Sequence, residues 1–333
     1  MTASKSRIKE FEALRGLSIV LLMILHSEIL GFYVFGIHLG PSATYVASFL
    51  LGSFFFMGGF FYEKTLIKYT NRQFSHAWSK FLRIFPPYWF ALFLFVFVMG
   101  FNLKRFDAQV YFFNVQFIFS PVYVKQLLTL WYISVMVAFY ALYGVLILYA
   151  RTNVWLLISS VAIFTVLYIF HLRTDYFDPR FFDYFFIFLL GVYFSRFKQF
   201  QENVYEIPLT YKIISAVLSV ILFAIVQASG AEIIDLLYIL AMDVFILAWV
   251  WMALDLFSGK LGDWRGWGFL SVASFMTYLY HRPIWHILAL PFPNMPYKTN
   301  VVYNVLFGSV AALFVGYYFQ RGYDRLLAAL KLK

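Results

Sequence analysis

The sequence contains no cysteine and few charged residues, and both absences narrow the chemistry that it can perform. Cysteine does not occur among its 333 residues, and Asp, Glu, Lys and Arg together make up 13%. The first absence excludes disulfides, Cys-ligated zinc, iron–sulfur clusters and a thiol nucleophile. Soluble domains carry about a quarter charged residues. A chain that is 63% hydrophobic and 23% aromatic is therefore predicted to be a polytopic membrane protein.

Several motifs of soluble enzymes are also missing. The sequence has no Walker loop and no G-x-S-x-G, which argues against ATP-driven pumping and ordinary serine hydrolysis. No two histidines recur at the i,i+4 spacing of helical metal ligands, so no metal is expected. The formal net charge of +10 is interpreted as loop residues that orient the chain in a membrane, and no nucleic-acid partner is expected. Chemistry must then depend on histidines, carboxylates, hydroxyls and basic groups.

Apolar runs near twenty residues predict an all-α membrane protein, a polytopic bundle of about ten transmembrane helices. The predicted spans are about residues 13–35, 42–62, 84–101, 127–149, 153–171, 181–196, 209–228, 233–255, 268–290 and 301–320. Residues 106–126 are apolar but interrupted by polar residues and a proline, so they are predicted to be interfacial or re-entrant. The residues after Phe319 are predicted to form a short basic amphipathic tail on the cytoplasmic surface.

The distribution of basic residues predicts the orientation of this bundle. With a cytoplasmic N-terminus, nineteen of the 26 Lys and Arg residues fall on the cytoplasmic side, six fall on the other side, and Arg282 lies within a span. This positive-inside bias predicts that the N- and C-termini are both cytoplasmic. The polar connections are short and no linker is evident, so residues 1–333 are interpreted as a single membrane domain.

The first span carries two costly polar residues, Arg15 and His26. They are eleven residues apart, which places them on almost the same helix face and about 16 Å from each other. Because an ionisable group in hydrocarbon is expensive, His26 is a candidate functional residue. A histidine that only hydrogen-bonds a neighbouring helix is the structural alternative. Glu12 lies at i,i+3 pairing distance from Arg15.

Two further clusters are candidate binding residues. Lys80 and Arg83 end the next cytoplasmic loop, and together with Arg15 they would suit a phosphate-bearing ligand. Asp243 is central in the eighth predicted span and is expected to pair with a buried base, for which Arg282 is available.

The ninth span is also polar. It places Tyr278, His281 and Arg282 beside the helix-kinking Pro283, and broken polar helices of this kind normally line a cavity. In the second span, the Gly58-Gly59 pair predicts close helix packing.

The motifs of this sequence, and their order along the chain, resemble those of the membrane-bound acyltransferase family 3. The most specific element is Leu-Arg-Gly followed by a histidine, with ten residues between Arg15 and His26 and an acidic residue, Glu12, three positions before the arginine. Five supporting segments follow in the family's order: 54–60, 83–89, 130–132, 189–191 and 278–281. One departure is Thr129, where a histidine often precedes the Leu-Trp pair, so the role of that histidine is not carried over.

The resemblance implies an enzyme, a stand-alone O-acyltransferase without an appended esterase-like domain. It would move an acyl group, usually acetyl from cytoplasmic acetyl-CoA, to a hydroxyl of a cell-surface glycan or lipid-linked sugar. It also implies a multi-pass protein of the bacterial cytoplasmic (inner) membrane, with membrane lipid and the acceptor glycan as partners. The sequence leaves the oligomeric state open, a homo-oligomer included.

Residue roles follow from the resemblance and the spacing together. His26, Arg15 and Glu12 are the predicted catalytic residues, with His26 acting either as general base on the acceptor hydroxyl or as a transient acyl carrier. The predicted acyl-CoA-binding residues are Arg15, Lys80 and Arg83. The predicted substrate-binding residues are Trp131, Tyr132, Tyr278, His281 and Asp243. A transporter or flippase for a sugar or acyl-bearing substrate is the alternative, since about ten spans and a midplane histidine would suit that function too.

Overall fold

The computed structural model describes residues 8–34, 37–68, 73–119, 121–127, 129–149, 152–230 and 235–330. In chain order its helices are α1 (Lys9–His26), α2 (Ser42–Lys68), α3 (Gln73–Phe93), α4 (Arg105–Phe112), α5 (Gln116–Phe119), α6 (Trp131–Tyr149), α7 (Asn153–Thr174), α8 (Pro179–Arg196), α9 (Lys198–Glu206), α10 (Leu209–Ala228), α11 (Leu236–Ser258), α12 (Gly266–Ala289), α13 (Tyr297–Tyr303) and α14 (Ser309–Ala329). A π turn, Leu94–Val98, extends α3, and another, Asn304–Gly308, joins α13 to α14. Short 3-10 turns occupy Ile29–Gly31 and Lys260–Asp263. A small antiparallel ribbon pairs β1 (Tyr33–Val34) with β2 (Ile37–His38).

The prediction of a helical multi-pass membrane protein is confirmed. Each predicted span overlaps a helix, if α13, its π turn and α14 are taken as one. The first span, 13–35, is α-helical only as far as His26 and is followed by a 3-10 turn and β1. By length and composition, six helices in the described ranges could cross a membrane: Ser42–Leu66, Ala77–Val98, Asn153–Thr174, Leu209–Ala228, Leu236–Ser258 and Tyr297–Ala329. Helix α1 is not among them, because its 18 residues include Lys9, Glu10, Glu12 and Arg15. The number of ten spanning helices stays a prediction.

The orientation of the bundle likewise stays a prediction. Residues 1–7 and 331–333, which hold the two termini, lie outside the described residues. So do six of the basic residues on which the predicted orientation depends: Lys5, Arg7, Arg72, Arg151, Lys331 and Lys333.

The segment predicted to be interfacial or re-entrant forms two short helices, α4 and α5. Helix α4 has eight residues and is only about 12 Å long at the rise of an α-helix, so it does not span a bilayer. Hydrogen bonds tie the segment to the bundle. The Tyr88 hydroxyl donates to the Tyr111 carbonyl (2.7 Å), and the Gln116 amide donates to the Leu130 carbonyl (3.0 Å).

Glycines bring α2 and α8 into backbone contact. A Cβ atom on Gly59 would lie 2.1 Å from the carbonyl oxygen of Phe188, and one on Gly191 would lie 2.1 Å from that of Phe56. No side chain fits either position. The predicted close packing of the second span is therefore observed, and α8 is its partner.

A buried ion pair joins the same two helices. Arg196 Nε donates to Glu63 Oε1 (2.8 Å), and the Tyr143 hydroxyl of α6 donates to Glu63 Oε2 (2.6 Å). The Glu63 side chain is only 1% exposed. Because both carboxylate oxygens accept a hydrogen bond, the buried charge is compensated and holds α2, α6 and α8 together.

Helices α1 and α12 lie side by side in the same direction. Gly16 of α1 meets Trp267 and Leu270 near the start of α12, and His26 meets His281 near the other end. The close approach at Gly16 positions the polar residues of both helices along one seam.

The last helix differs from the prediction for the end of the chain. Helix α14 continues without interruption through Ala329, so most of the predicted surface tail is an extension of the final long helix. Helix α14 packs along α12 and extends past it, which places its last turns beside the ends of α1 and α3.

Candidate active site

A cavity of about 570 Å³ lies between α1, α2, α3, α6, α12 and α14. Glu12 and Arg15 of α1 and Lys80 and Arg83 of α3 line one end of it. Lys80 and Arg83 are three residues apart, so they project from the same face of α3. The structure thus brings together the three cations predicted to bind acyl-CoA, although the sequence separates Arg15 from the other two by more than sixty residues.

Aromatic rings surround these cations. The guanidinium carbon of Arg15 lies 5.4 Å from the ring centre of Phe61, and Lys80 Nζ lies 5.0 Å from that of Tyr140 and 5.6 Å from that of Tyr62. Arg15 also interacts electrostatically with Glu12. Cation–π contacts of this kind hold Arg15 and Lys80 against the aromatic rings at this end of the cavity.

The cavity extends along α12 towards the far end of α1. Its lining on α12 includes Ser271, Ser274 and Tyr278, which share one helix face over about 10 Å. Two tyrosines close this end, with the rings of Tyr132 and Tyr278 5.1 Å apart. The Tyr278 hydroxyl donates to the carbonyl of Thr129, so its proton is committed to the backbone.

His26 and His281 form a direct pair just beyond the tyrosines. His26 Nδ1 lies 2.9 Å from His281 Nε2, and the two rings are nearly parallel, with 8° between their planes. His281 is completely buried, and its Nδ1 lies 3.1 Å from the Thr277 carbonyl and 2.9 Å from the Tyr278 carbonyl. The same Tyr278 therefore lines the cavity through its side chain and contacts the histidine pair through its backbone.

These contacts determine the tautomers of the two neutral rings. A carbonyl oxygen can only accept a hydrogen bond, so the proton of His281 is on Nδ1 and its Nε2 is an acceptor. His26 Nδ1 must then carry the proton that His281 Nε2 accepts. Within the described part of the chain, His26 Nε2 makes no hydrogen bond. Its lone pair is thus available to take a proton from a bound hydroxyl group.

Three of the predicted substrate-binding residues, Trp131, His281 and Asp243, do not line the cavity, and neither does the predicted catalytic residue His26. The ring of Trp131 is covered by Arg180, whose guanidinium carbon lies 4.0 Å from the ring centre. Asp243 is buried in α11, where it interacts electrostatically with Asp183. The expected pair with Arg282 is wrong for the described structure, because Arg282 interacts with other groups, Glu28 among them.

Sequence reasoning missed several residues of the cavity. Tyr140 follows Tyr132 by eight residues and so lies on the same face of α6, a spacing that could have revealed it. Gln320, Tyr323 and Asp324 of α14 also line the cavity. No comparable signal marked them, because the end of the chain resembled a surface tail.

Comparison with known protein families gives one match. The sequence model of the family described as an acyltransferase domain, acyltransferase 3, matches residues 8–321. The matched range runs from α1 into α14 and includes both histidines and all the basic residues of the cavity. No curated protein matches the chain.

Proposed function

Because the chain belongs to the acyltransferase 3 family, whose sequence model covers residues 8–321, we propose that it transfers an acyl group from acyl-CoA to a glycan hydroxyl within the membrane. The proposed donor is acetyl-CoA, and the proposed acceptor is a cell-surface glycan or a lipid-linked sugar. The observation that carries the proposal is the cavity that runs from the basic cluster to Tyr278, whose backbone carbonyl contacts the histidine pair.

The basic end of the cavity suits the head of coenzyme A. Arg15, Lys80 and Arg83 present three positive charges, and guanidinium groups bind phosphate oxygens strongly at a partly dehydrated surface. The cavity volume of about 570 Å³ is within the range of small-molecule sites. The pantetheine arm would follow the α12 face past Ser271 and bring the thioester to the tyrosines.

His26 is the proposed general base. Its Nε2 takes the proton of the acceptor hydroxyl as the hydroxyl oxygen attacks the thioester carbon, and the C–S bond then breaks. The coenzyme A thiolate leaves with the proton that His26 Nε2 gives back. His281 acts as a positioning residue, because its Nε2 accepts the His26 Nδ1 hydrogen bond and holds the imidazole in the tautomer that leaves Nε2 unprotonated.

The test is acyl transfer by purified protein in lipid nanodiscs, measured as release of coenzyme A and as label from acetyl-CoA recovered in added glycan-containing membrane extract. His26→Gln should lower kcat by about 10²- to 10⁴-fold, the usual contribution of general-base catalysis. His281→Gln keeps an oxygen acceptor for His26 and should retain more activity than His281→Phe, which removes it.

His286→Gln is the matched control, since His286 is on the same helix as His281 but belongs neither to the cavity lining nor to the histidine pair. Transfer at the unaltered rate by a folded His26→Gln protein would exclude His26 as the base. Acetyl trapped on His26 after reaction with acetyl-CoA alone would instead identify it as an acyl carrier.

A further inference from the structure

Arg282 lies within a predicted span, is assigned by the predicted orientation to neither side of the membrane, and follows His281 of the histidine pair. It follows His281 on α12, and its electrostatic contacts include His26, His281, Tyr278 and Glu28. The residue is half-buried, and its Nε atom is completely buried without a hydrogen-bond acceptor in the described structure.

Two other arginines of this bundle form ion pairs with carboxylates. Arg180 makes two hydrogen bonds to Asp178 (2.7 and 2.6 Å), and Arg196 bonds to Glu63 at 2.8 Å. Among the described residues, no carboxylate lies within ion-pair distance of Arg282. A buried guanidinium donor without an acceptor is costly, and such a group calls for a partner that the chain does not supply.

Glu28 is the nearest candidate for that partner, and its carboxylate is used elsewhere. Glu28 Oε2 accepts a hydrogen bond from the Tyr297 hydroxyl (2.8 Å), and Glu28 itself is exposed. Arg282 therefore follows His281 on α12 with a positive charge that no carboxylate of the described residues pairs at ion-pair distance. It lies at the far end of α1 from Arg15, and the two arginines belong to separate parts of the site.

We propose that Arg282 stabilises the negative oxygen that forms on the acyl carbonyl during transfer; the inference rests on the proposed function. When the acceptor oxygen bonds to the thioester carbon, the C=O electron pair moves to the carbonyl oxygen and the hydroxyl proton moves to His26 Nε2. Collapse restores the C=O bond and breaks the C–S bond. The thiolate then takes the proton from His26, so atoms and charge balance.

The geometry suits this role because the reacting atoms are close together. The attacking oxygen must lie within hydrogen-bond reach of His26 Nε2, and the carbonyl oxygen is two bonds from it. Arg282 adjoins the histidine pair through His281, and its buried Nε has no acceptor among the described residues, so this donor is assigned to that carbonyl oxygen. The negative oxygen would also be stabilised by two positive charges, that of Arg282 and that of the transient His26 imidazolium. Fixed donors aimed at a developing charge act most strongly where water is excluded.

The experiment compares Arg282→Gln, Arg282→Lys and the unaltered protein in nanodiscs, using acetyl-CoA with water as acceptor and then with glycan-containing membrane extract. Coenzyme A release gives kcat and the KM for acetyl-CoA. Arg282→Gln should lower kcat by about 10²- to 10³-fold with both acceptors, the loss expected for one oxyanion donor, and change KM by less than about two-fold. Arg282→Lys keeps the positive charge but lacks the Nε–H donor. Its kcat should lie between those of Arg282→Gln and the unaltered protein.

Arg173→Gln is the control, since Arg173 is exposed on α7. An unchanged kcat in folded Arg282→Gln, or a raised KM without a lower kcat, overturns the inference. If Arg282→Gln is not recovered folded, the test uses Arg282→Lys instead. An unaltered kcat of Arg282→Lys then overturns the inference. Absence of coenzyme A release by the unaltered protein with either acceptor would refute the proposed function itself.

Discussion

Gly59→Ala is expected to destabilise the bundle strongly, and the reason is geometric. The new methyl carbon would lie 2.1 Å from the Phe188 carbonyl oxygen and 3.0 Å from the Val192 nitrogen, both of them backbone atoms of α8. Backbone atoms in a helix cannot rotate away as a side chain can. To reach an ordinary contact of 3.4 Å, α2 and α8 must separate locally by about 1.3 Å.

The size of this separation determines how much stability Gly59→Ala costs. A gap of 0.5 to 1 Å already forfeits roughly a quarter to a half of the dispersion energy of each contact along an interface. Inserting a methyl group into a packed core typically costs about 1 to 3 kcal/mol. We expect the upper end, about 3 kcal/mol, because the rigid α2–α8 interface cannot relax around one side chain. Gly191→Ala should behave in the same way, since its methyl group would meet the Phe56 carbonyl at 2.1 Å.

The assay is the apparent melting temperature of detergent-solubilised protein, followed by fluorescence-detected size-exclusion chromatography. At roughly 2 to 4 °C per kcal/mol, the expected loss for Gly59→Ala is about 6 °C or more. Gly58→Ala is the matched neighbour, because its methyl group would meet side chains instead of backbone: the flexible end of Met136 at 2.7 Å and the Tyr140 hydroxyl at 3.6 Å. Equal melting temperatures for the Gly58 and Gly59 variants would refute the argument that backbone contact at Gly59 holds the two helices together.

Two further predictions concern charges. Arg15→Gln should raise the KM for acetyl-CoA by about tenfold with a smaller change in kcat, because one phosphate-binding cation of the cavity is lost; steady-state kinetics in nanodiscs measures both, and a fall in kcat alone would contradict this role. Glu63→Gln should lower stability by about 2 kcal/mol, because it weakens charged hydrogen bonds to Arg196 in a buried site. Asp263→Asn is its control, since that carboxylate is exposed and its pair contributes little; equal melting temperatures for the two variants would count against the buried pair.

The sequence predicts the location of the cation cluster, but it does not predict which residue pairs with His26. Arg15 and the Lys80–Arg83 pair each border an apolar run on the side predicted to be cytoplasmic, so the runs and the positive-inside bias together predict that these cations lie at one membrane surface. The partner of His26 is different. His281 is 255 residues away, and periodicity shows which face His26 occupies but not which helix packs against that face.

Asp243 is a second residue whose neighbour in the structure could not be predicted from the sequence. A buried carboxylate needs a compensating group, and Arg282 was a reasonable choice within the sequence. Helix α11 instead places Asp243 near Asp183 of α8, while Arg282 on α12 lies beside the histidines. The choice between two chemically suitable partners depends on helix neighbours, which residue types do not specify.

The sequence by itself determined the helical membrane architecture, the positions of the long helices and the family, because apolar runs and ordered motifs are local properties of the chain. The tertiary structure alone decided that His26 pairs with His281, that Arg282 has no carboxylate partner among the described residues, and that α14 lines the cavity. These features arise from packing between distant helices. The backbone contact of Gly59 and Gly191 and the approach of α1 to α12 at Gly16 show how closely distant helices pack in this bundle.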